Sequence, residues 1–209
     1  MSVPRRTAVG EQPQYSKLEP LTFQDLCKEI LQASPDFRNV QVYGRPGQMQ
    51  RGIDILAERL SPSGLTVGQC KRFQTFTDSQ LGGAVKEFVK YKEYWKRQGV
   101  DTFILFISCD TSDTKVQSEF VRQRRRLQKS GIALELWSDS TITKHLRSNA
   151  GLVSTYLGGD WPTILCGGSV YVAQMAFPNT TNLLFTQLEQ VSALHSDAVE
   201  RAIESAREA

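Results

Sequence analysis

The chain has 209 residues, of which 40% are hydrophobic and 22% are charged, and its net charge is +3. These values are typical of a globular protein with one core of ordinary size, and so small a net charge does not by itself indicate nucleic-acid binding. No run approaches the roughly 20 apolar residues that span a bilayer, and the N-terminus lacks the apolar segment of a secretory signal, so we expect a cytoplasmic protein that does not enter a membrane.

Apolar periodicity predicts elements in the order helix, three strands, helix, strand, helix, strand, helix. In the first segment Phe23, Leu26 and Ile30 recur at helical spacing. A short Pro/Gly turn separates the second strand from the third, which predicts that these two strands are antiparallel partners. The uninterrupted apolar run 102–108 is typical of a strand that is buried on both faces. The predicted helices span about 22–33, 78–97, 113–129 and 138–146, and the predicted strands span about 39–44, 52–60, 65–73, 102–108 and 132–137.

This order predicts an α/β fold with a mixed sheet flanked by helices. We expect three regions: a flexible arm over 1–19, a folded domain over 20–148, and a C-terminal helical extension over 149–209. The last 28 residues form one long amphipathic pattern, which needs a partner surface to cover its apolar stripe. That surface is the folded domain, a second copy of the chain, or a further sensor or ATPase domain or partner protein.

The four cysteines are far apart in the sequence. Cys27, Cys70, Cys109 and Cys166 form no C-x-x-C pair, and three of them lie within apolar runs. We therefore expect reduced core residues and neither disulfides nor a zinc site.

One group of residues has the composition of a hydrolytic site. Asp54 begins the second predicted strand, while Gln69 and Lys71 end the third. Side chains two apart on a strand point to the same face, so Gln69 and Lys71 project together and Cys70 points into apolar packing. Antiparallel pairing would bring Asp54 beside them. Oxygen ligands of this kind suit Mg²⁺ or Mn²⁺, and an ammonium group can stabilise the charge on a reacting phosphate.

Asp54, then 14 residues, then Gln69-Cys70-Lys71 resembles the D-x(n)-QxK variant of the PD-(D/E)XK nuclease motif. The phrases RGIDILAE and LTVGQCKRF look like those of Mrr-type restriction endonucleases and related antiphage nuclease effectors, over roughly residues 20–148. The resemblance implies a restriction-endonuclease-like sheet. It also implies that Asp54 and Gln69 bind the metal and that Lys71 is catalytic.

The chain departs from this pattern on the first helix. Mrr-type enzymes usually carry a glutamate there after an aromatic residue, whereas here Gln24 follows Phe23. Some antiphage nucleases use a Tyr-Gln pair at this place, which Phe23-Gln24 resembles. The resemblance therefore favours Gln24 as a further metal ligand, with Asp25 as the alternative and Glu29 as a weaker one.

Basic residues after the motif predict a DNA surface. Lys71 and Arg72 are the strongest candidates because they adjoin the site, while Arg122 and Arg125 belong to an Arg-rich helix. Such residues bind phosphates without sequence specificity. For that helix, DNA contact and an ordinary solvated face both remain open.

These observations predict a metal-dependent endonuclease for double-stranded DNA. The resemblance implies an effector of a prokaryotic antiphage system, and cutting both strands would require two sites and hence a homo-oligomer. Two alternatives remain: a junction resolvase or repair nuclease with the same residues, and a non-catalytic assembly module with a degenerate nuclease fold.

Overall fold

A computed structural model describes residues 12–44 and 47–167. A short 3₁₀ helix at Tyr15–Lys17 precedes the main elements. The helices are α1 (Pro20–Ala33), α2 (Asp78–Val89), α3 (Lys92–Arg97), α4 (Thr114–Gln128), α5 (Asp139–Leu146), α6 (Ala150–Leu157) and α7 (Trp161–Cys166). The strands are β1 (Phe37–Val42), β2 (Ile55–Arg59), β3 (Gly64–Lys71), β4 (Val100–Ile107) and β5 (Ala133–Trp137).

The five strands form one mixed sheet in the order β1-β2-β3-β4-β5. β1 pairs with β2 and β2 with β3 in antiparallel fashion, whereas β4 runs parallel to both β3 and β5. Parallel neighbours need long crossovers, which here contain α2 and α3 between β3 and β4 and α4 between β4 and β5. The predicted order of elements and the antiparallel β2–β3 pair are confirmed, as is a mixed α/β sheet flanked by helices.

Two apolar clusters cover the two faces of the sheet. The α2 cluster contains Phe88 of α2 and Leu105 of β4. The α1 cluster contains Leu26 of α1 and Phe106 of β4. Because neighbouring residues of β4 alternate between the two clusters and are fully buried, β4 is a central strand covered on both faces, as predicted.

The predicted helix 78–97 is in fact two helices, since α2 ends at Val89 and α3 begins at Lys92. The chain turns between them and Trp95 becomes buried. The Trp95 indole N–H donates to the carbonyl oxygen of Arg51 at 3.0 Å. This long-range contact fixes α3 against the segment that precedes β2.

The folded structure extends beyond the predicted boundaries at 19 and 148. Tyr15, placed in the predicted flexible arm, is fully buried, and its hydroxyl shares a 2.7 Å hydrogen bond with the Thr143 hydroxyl. Val153 of α6 is buried in the α1 cluster. All four cysteines are free; Cys27 and Cys109 are buried, and Cys70 and Cys166 are partly buried. No helix of the described ranges is long and apolar enough to span a bilayer, and the predicted long C-terminal helix lies outside those ranges.

Candidate functional site

The end of β3 fixes the Asp54 carboxylate. The Asp54 N–H donates to the Gly68 carbonyl oxygen at 2.7 Å, which continues the antiparallel pairing of β2 with β3 by one residue. Asp54 Oδ2 in turn accepts a 2.7 Å hydrogen bond from the Cys70 N–H. The carboxylate is therefore held by backbone atoms beside Gln69.

Gln69 and Lys71 project from β3 on the same side of the sheet, toward α2. The Gln69 side chain is buried, at 2% exposure, and the Lys71 side chain is 29% exposed. Cys70 between them packs against the α1 cluster on the opposite face. The period-two arrangement that the sequence predicts is confirmed.

A fourth side chain, Glu87 of α2, contacts both of these residues. Glu87 Oε2 accepts a 2.9 Å hydrogen bond from Gln69 Nε2 and a 3.0 Å hydrogen bond from Lys71 Nζ. Sequence reasoning did not identify Glu87. One signal was present: it directly precedes Phe88, a core residue of the first helix after the Gln69-Cys70-Lys71 strand, so it had to lie at the edge of the buried face.

These four residues line one solvent-open cavity of about 360 Å³. The segment 48–53, Lys90 and Tyr91 complete its lining. The structure therefore brings together the three residues that the sequence singled out.

A close approach between the segment before β2 and α2 shapes the cavity. Gly52 has φ +75°, and a Cβ at this position would lie 3.0 Å from Phe88 Cα and 3.1 Å from the Glu87 carbonyl carbon. Only glycine allows this backbone conformation and this contact at once. Arg51 stabilises the segment, since its guanidinium donates to the Tyr43 hydroxyl at 3.0 Å and stacks 4.3 Å from the centre of the Tyr94 ring.

The two carboxylates of the cavity differ in their electrostatic environment. Burial raises the pKa of the Asp54 carboxyl, and this effect exceeds the opposing effects of the Cys70 N–H and the Lys71 charge. Burial also acts to raise the pKa of Glu87, but the hydrogen bonds from Lys71 and Gln69 and the Lys71 charge outweigh it, so that pKa is lowered. Glu87 is therefore the more readily ionised carboxylate.

The donor set fits a hard divalent cation. Gln69 Oε1 is buried and accepts no hydrogen bond, and Asp54 lies beside it with only one oxygen held by Cys70. A buried acceptor without a partner requires an explanation, and oxygen ligands are those that Mg²⁺ and Mn²⁺ prefer. Among the residues that the structure describes, no cluster of three or more His, Cys, Asp or Glu is suited to a metal.

Gln24, the predicted ligand from the first helix, does not line this cavity, and neither do the alternatives Asp25 and Glu29. The reason is topological: α1 packs in the cluster on the opposite face of the sheet from α2, toward which Gln69 and Lys71 point. The helix residue that reaches the site belongs to α2.

The predicted DNA-binding arginines are exposed and differ in their partners. Arg72 donates to the Ser16 carbonyl oxygen at 3.0 Å. Arg122 binds Glu119 through two hydrogen bonds of 2.6 and 2.7 Å, whereas Arg125 forms no ion pair with another residue of the described ranges. Arg125 is thus the freer of the two cations on α4.

The cavity combines carboxylate and amide oxygens with an ammonium group and is open to solvent. Such a set can bind a divalent cation and a phosphate side by side. Comparison of the chain with family models, with curated proteins and with solved structures finds no match.

Proposed function

We propose that this protein is a metal-dependent endonuclease of double-stranded DNA with a restriction-endonuclease-like fold. One observation carries the proposal. The Asp54 carboxylate, the unpartnered Gln69 carbonyl oxygen and the Lys71 ammonium group line a single open cavity. Metal-dependent hydrolysis of a phosphodiester uses oxygen ligands for a cation and a cationic group beside the phosphate, and the three residues supply both.

Asp54 and Gln69 would hold the cation. The Cys70 N–H fixes one carboxylate oxygen of Asp54, which leaves the other oxygen and Gln69 Oε1 as ligands. When bound there, Mg²⁺ or Mn²⁺ would lower the pKa of a water molecule and offset negative charge on a phosphate oxygen.

Lys71 would act on the phosphate directly. An ammonium group has three donors, and one of those of Lys71 goes to Glu87. The remaining donors are free to bind a non-bridging phosphate oxygen and to orient the attacking water. As negative charge develops on the phosphate in the transition state, the fixed ammonium stabilises it without reorganisation of solvent.

Basic residues near the cavity would hold the DNA backbone. Lys90 lines the cavity itself, and Lys86 lines a second cavity of about 440 Å³ between α2 and α4 together with Arg122 and Arg126. Contacts of this kind go to phosphates and do not read bases, so we expect salt-sensitive binding with little sequence preference. In the cell, this activity would belong to a cytoplasmic antiphage effector. It would cut both DNA strands through a homo-oligomer with two such sites.

Plasmid nicking with Mg²⁺, Mn²⁺ or EDTA tests the proposal. Lys71→Ala should reduce cleavage by roughly 10²- to 10³-fold, the usual effect of removing one fixed donor to the transition state. The matched control is Lys144→Ala, which removes an exposed lysine of α5, a helix that packs on the opposite face of the sheet.

If the wild-type protein cuts DNA with neither cation in any oligomeric state, the proposal fails. Equal cleavage by Lys71→Ala and wild type would also overturn the assigned role of Lys71. Preferential cutting of four-way junctions over linear duplex would instead indicate a resolvase.

A further inference from the structure

We propose that Glu87 is a positioning residue that turns the Gln69 carbonyl oxygen toward the cation, an inference that rests on the proposed function. Glu87 does not need to touch the metal or the DNA for this role. It acts through the two residues that do, by accepting a hydrogen bond from each of them.

The first step concerns the orientation of the Gln69 amide. A glutamine amide can present either its NH₂ group or its oxygen to a neighbour. Glu87 Oε2 lies 2.9 Å from Gln69 Nε2. The flipped amide would place two oxygen acceptors at that distance, so the carboxylate selects the orientation in which the NH₂ group faces α2. The carbonyl oxygen must then face away from Glu87.

The second step concerns the oxygen so oriented. Gln69 Oε1 is buried and unpartnered, although the other half of the same amide is well satisfied. Native proteins contain few such acceptors, and ligand sites are among the places where they occur. Asp54 lies opposite Gln69 on the neighbouring segment of the chain. It forms hydrogen bonds with the backbone of Gly68 and of Cys70, the two residues that flank Gln69. A cation between the two side chains would satisfy both.

The third step concerns charge. The Lys71 ammonium lines the same cavity and would repel a divalent cation. Glu87 Oε2 lies 3.0 Å from Lys71 Nζ. The negative charge of this carboxylate therefore reduces the repulsion between the ammonium group and the cation.

The backbone of Glu87 is well fixed for this task. Its carbonyl carbon would lie only 3.1 Å from a Cβ at position 52, so the Gly52 backbone abuts α2 at this residue. The next residue, Phe88, stacks on Phe103 with ring centres 4.1 Å apart. Positioning residues behind a metal ligand typically change metal affinity 10- to 100-fold when they are altered.

The test measures Mn²⁺ affinity of the full chain by electron paramagnetic resonance, without DNA. We expect Glu87→Gln and Glu87→Asp each to weaken Mn²⁺ binding by about 10-fold. Glu87→Asp keeps the charge but is too short to reach Gln69, so an effect of charge alone would leave its affinity near that of wild type. The matched control is Glu93→Gln, an exposed α3 glutamate paired with Lys92, which should bind Mn²⁺ as wild type does.

A charge swap guards against simple misfolding. In the double variant Gln69→Glu/Glu87→Gln, the new amide at 87 can donate to the new carboxylate at 69, so Mn²⁺ affinity should return to the wild-type value or exceed it. If Glu87→Asp and Glu87→Gln bind Mn²⁺ like wild type, the inference is wrong while metal-dependent cleavage by wild type still stands. If wild type binds no Mn²⁺, the inference fails on that result, and plasmid nicking decides the proposed function separately.

Discussion

Replacing Gly52 with alanine tests the contact between α2 and the segment that precedes β2. Gly52 has φ +75°, a conformation that costs a residue with a Cβ about 1–2 kcal/mol. The new Cβ would also lie 3.0 Å from Phe88 Cα and 3.1 Å from the Glu87 carbonyl carbon. These are backbone atoms of a packed helix and cannot rotate away, so overpacking should add about 1–3 kcal/mol. We expect a total loss of unfolding free energy of about 2–5 kcal/mol from these two effects.

Gly99→Ala is the matched control. Gly99 has φ +86°, yet no atom lies within 4 Å of its Cβ position, so alanine there should lose only the backbone contribution of about 1–2 kcal/mol. Urea denaturation of both variants at neutral pH gives the two free energies, and their difference of about 1–3 kcal/mol isolates the contact with α2. Because the displaced backbone belongs to Glu87 and Phe88, Gly52→Ala should also reduce DNA cleavage, measured without urea at a temperature where the variant is folded. Equal losses of stability in the two variants would refute the close approach, and with it the account of how Glu87 is held.

Three further predictions concern the carboxylate, the N-terminal anchor and the basic helix. Asp54→Asn should raise the Tm in EDTA at neutral pH, because burial raises the pKa of the Asp54 carboxyl. The stability that the protonated carboxyl contributes is lost as pH rises through its pKa in the folded protein, so the ionised form lowers the stability of wild type. The advantage of the variant should shrink in acid, and a lower Tm at neutral pH would contradict the burial argument. Tyr15→Phe leaves the Thr143 hydroxyl, itself buried, without its 2.7 Å partner and should cost about 1–3 kcal/mol in urea denaturation, whereas no change would show that the contact contributes nothing. Arg125→Ala should reduce the salt dependence of DNA binding by about one unit of slope, and Arg122→Ala by less because a glutamate already holds that guanidinium; the reverse order would argue against α4 as a DNA surface.

The arrangement of Gln69 and Lys71 could be predicted because it depends on local geometry alone. Residues two apart on any strand share a face, and the turn between β2 and β3 favours the antiparallel pairing that brings Asp54 beside them. Cys70 followed from the same rule, since the intervening residue must face the other way. The two-residue period of a strand and the position of the turn were therefore sufficient for the geometry of this half of the site.

The helix contribution could not be predicted in the same way. The periodicity of α1 shows which of its residues are buried. It does not show on which face of the sheet α1 packs, so the prediction of Gln24 as a ligand rested on the resemblance alone. Glu87 depends on how α2 lies across β3, which is a tertiary property. The break after Val89 is likewise not visible in the sequence, because the apolar pattern continues through it, and Trp95 of α3 makes a long-range contact with the Arg51 carbonyl.

The site is unfavourable to the stability of the protein in a way that a purely structural role would not explain. A buried carboxylate with a raised pKa and a buried amide oxygen without a partner each lower the stability of the folded chain. An apolar residue of similar size at position 69 would remove the cost of the unpartnered oxygen, whereas one at position 54 would remove the buried carboxylate but leave the Cys70 N–H without its acceptor. The NH₂ half of the same amide is satisfied by Glu87. A ligand with positive charge that binds both oxygens would relieve the two costs together, and this is the physical reason to interpret the cavity as a cation site rather than as a gap beneath α2.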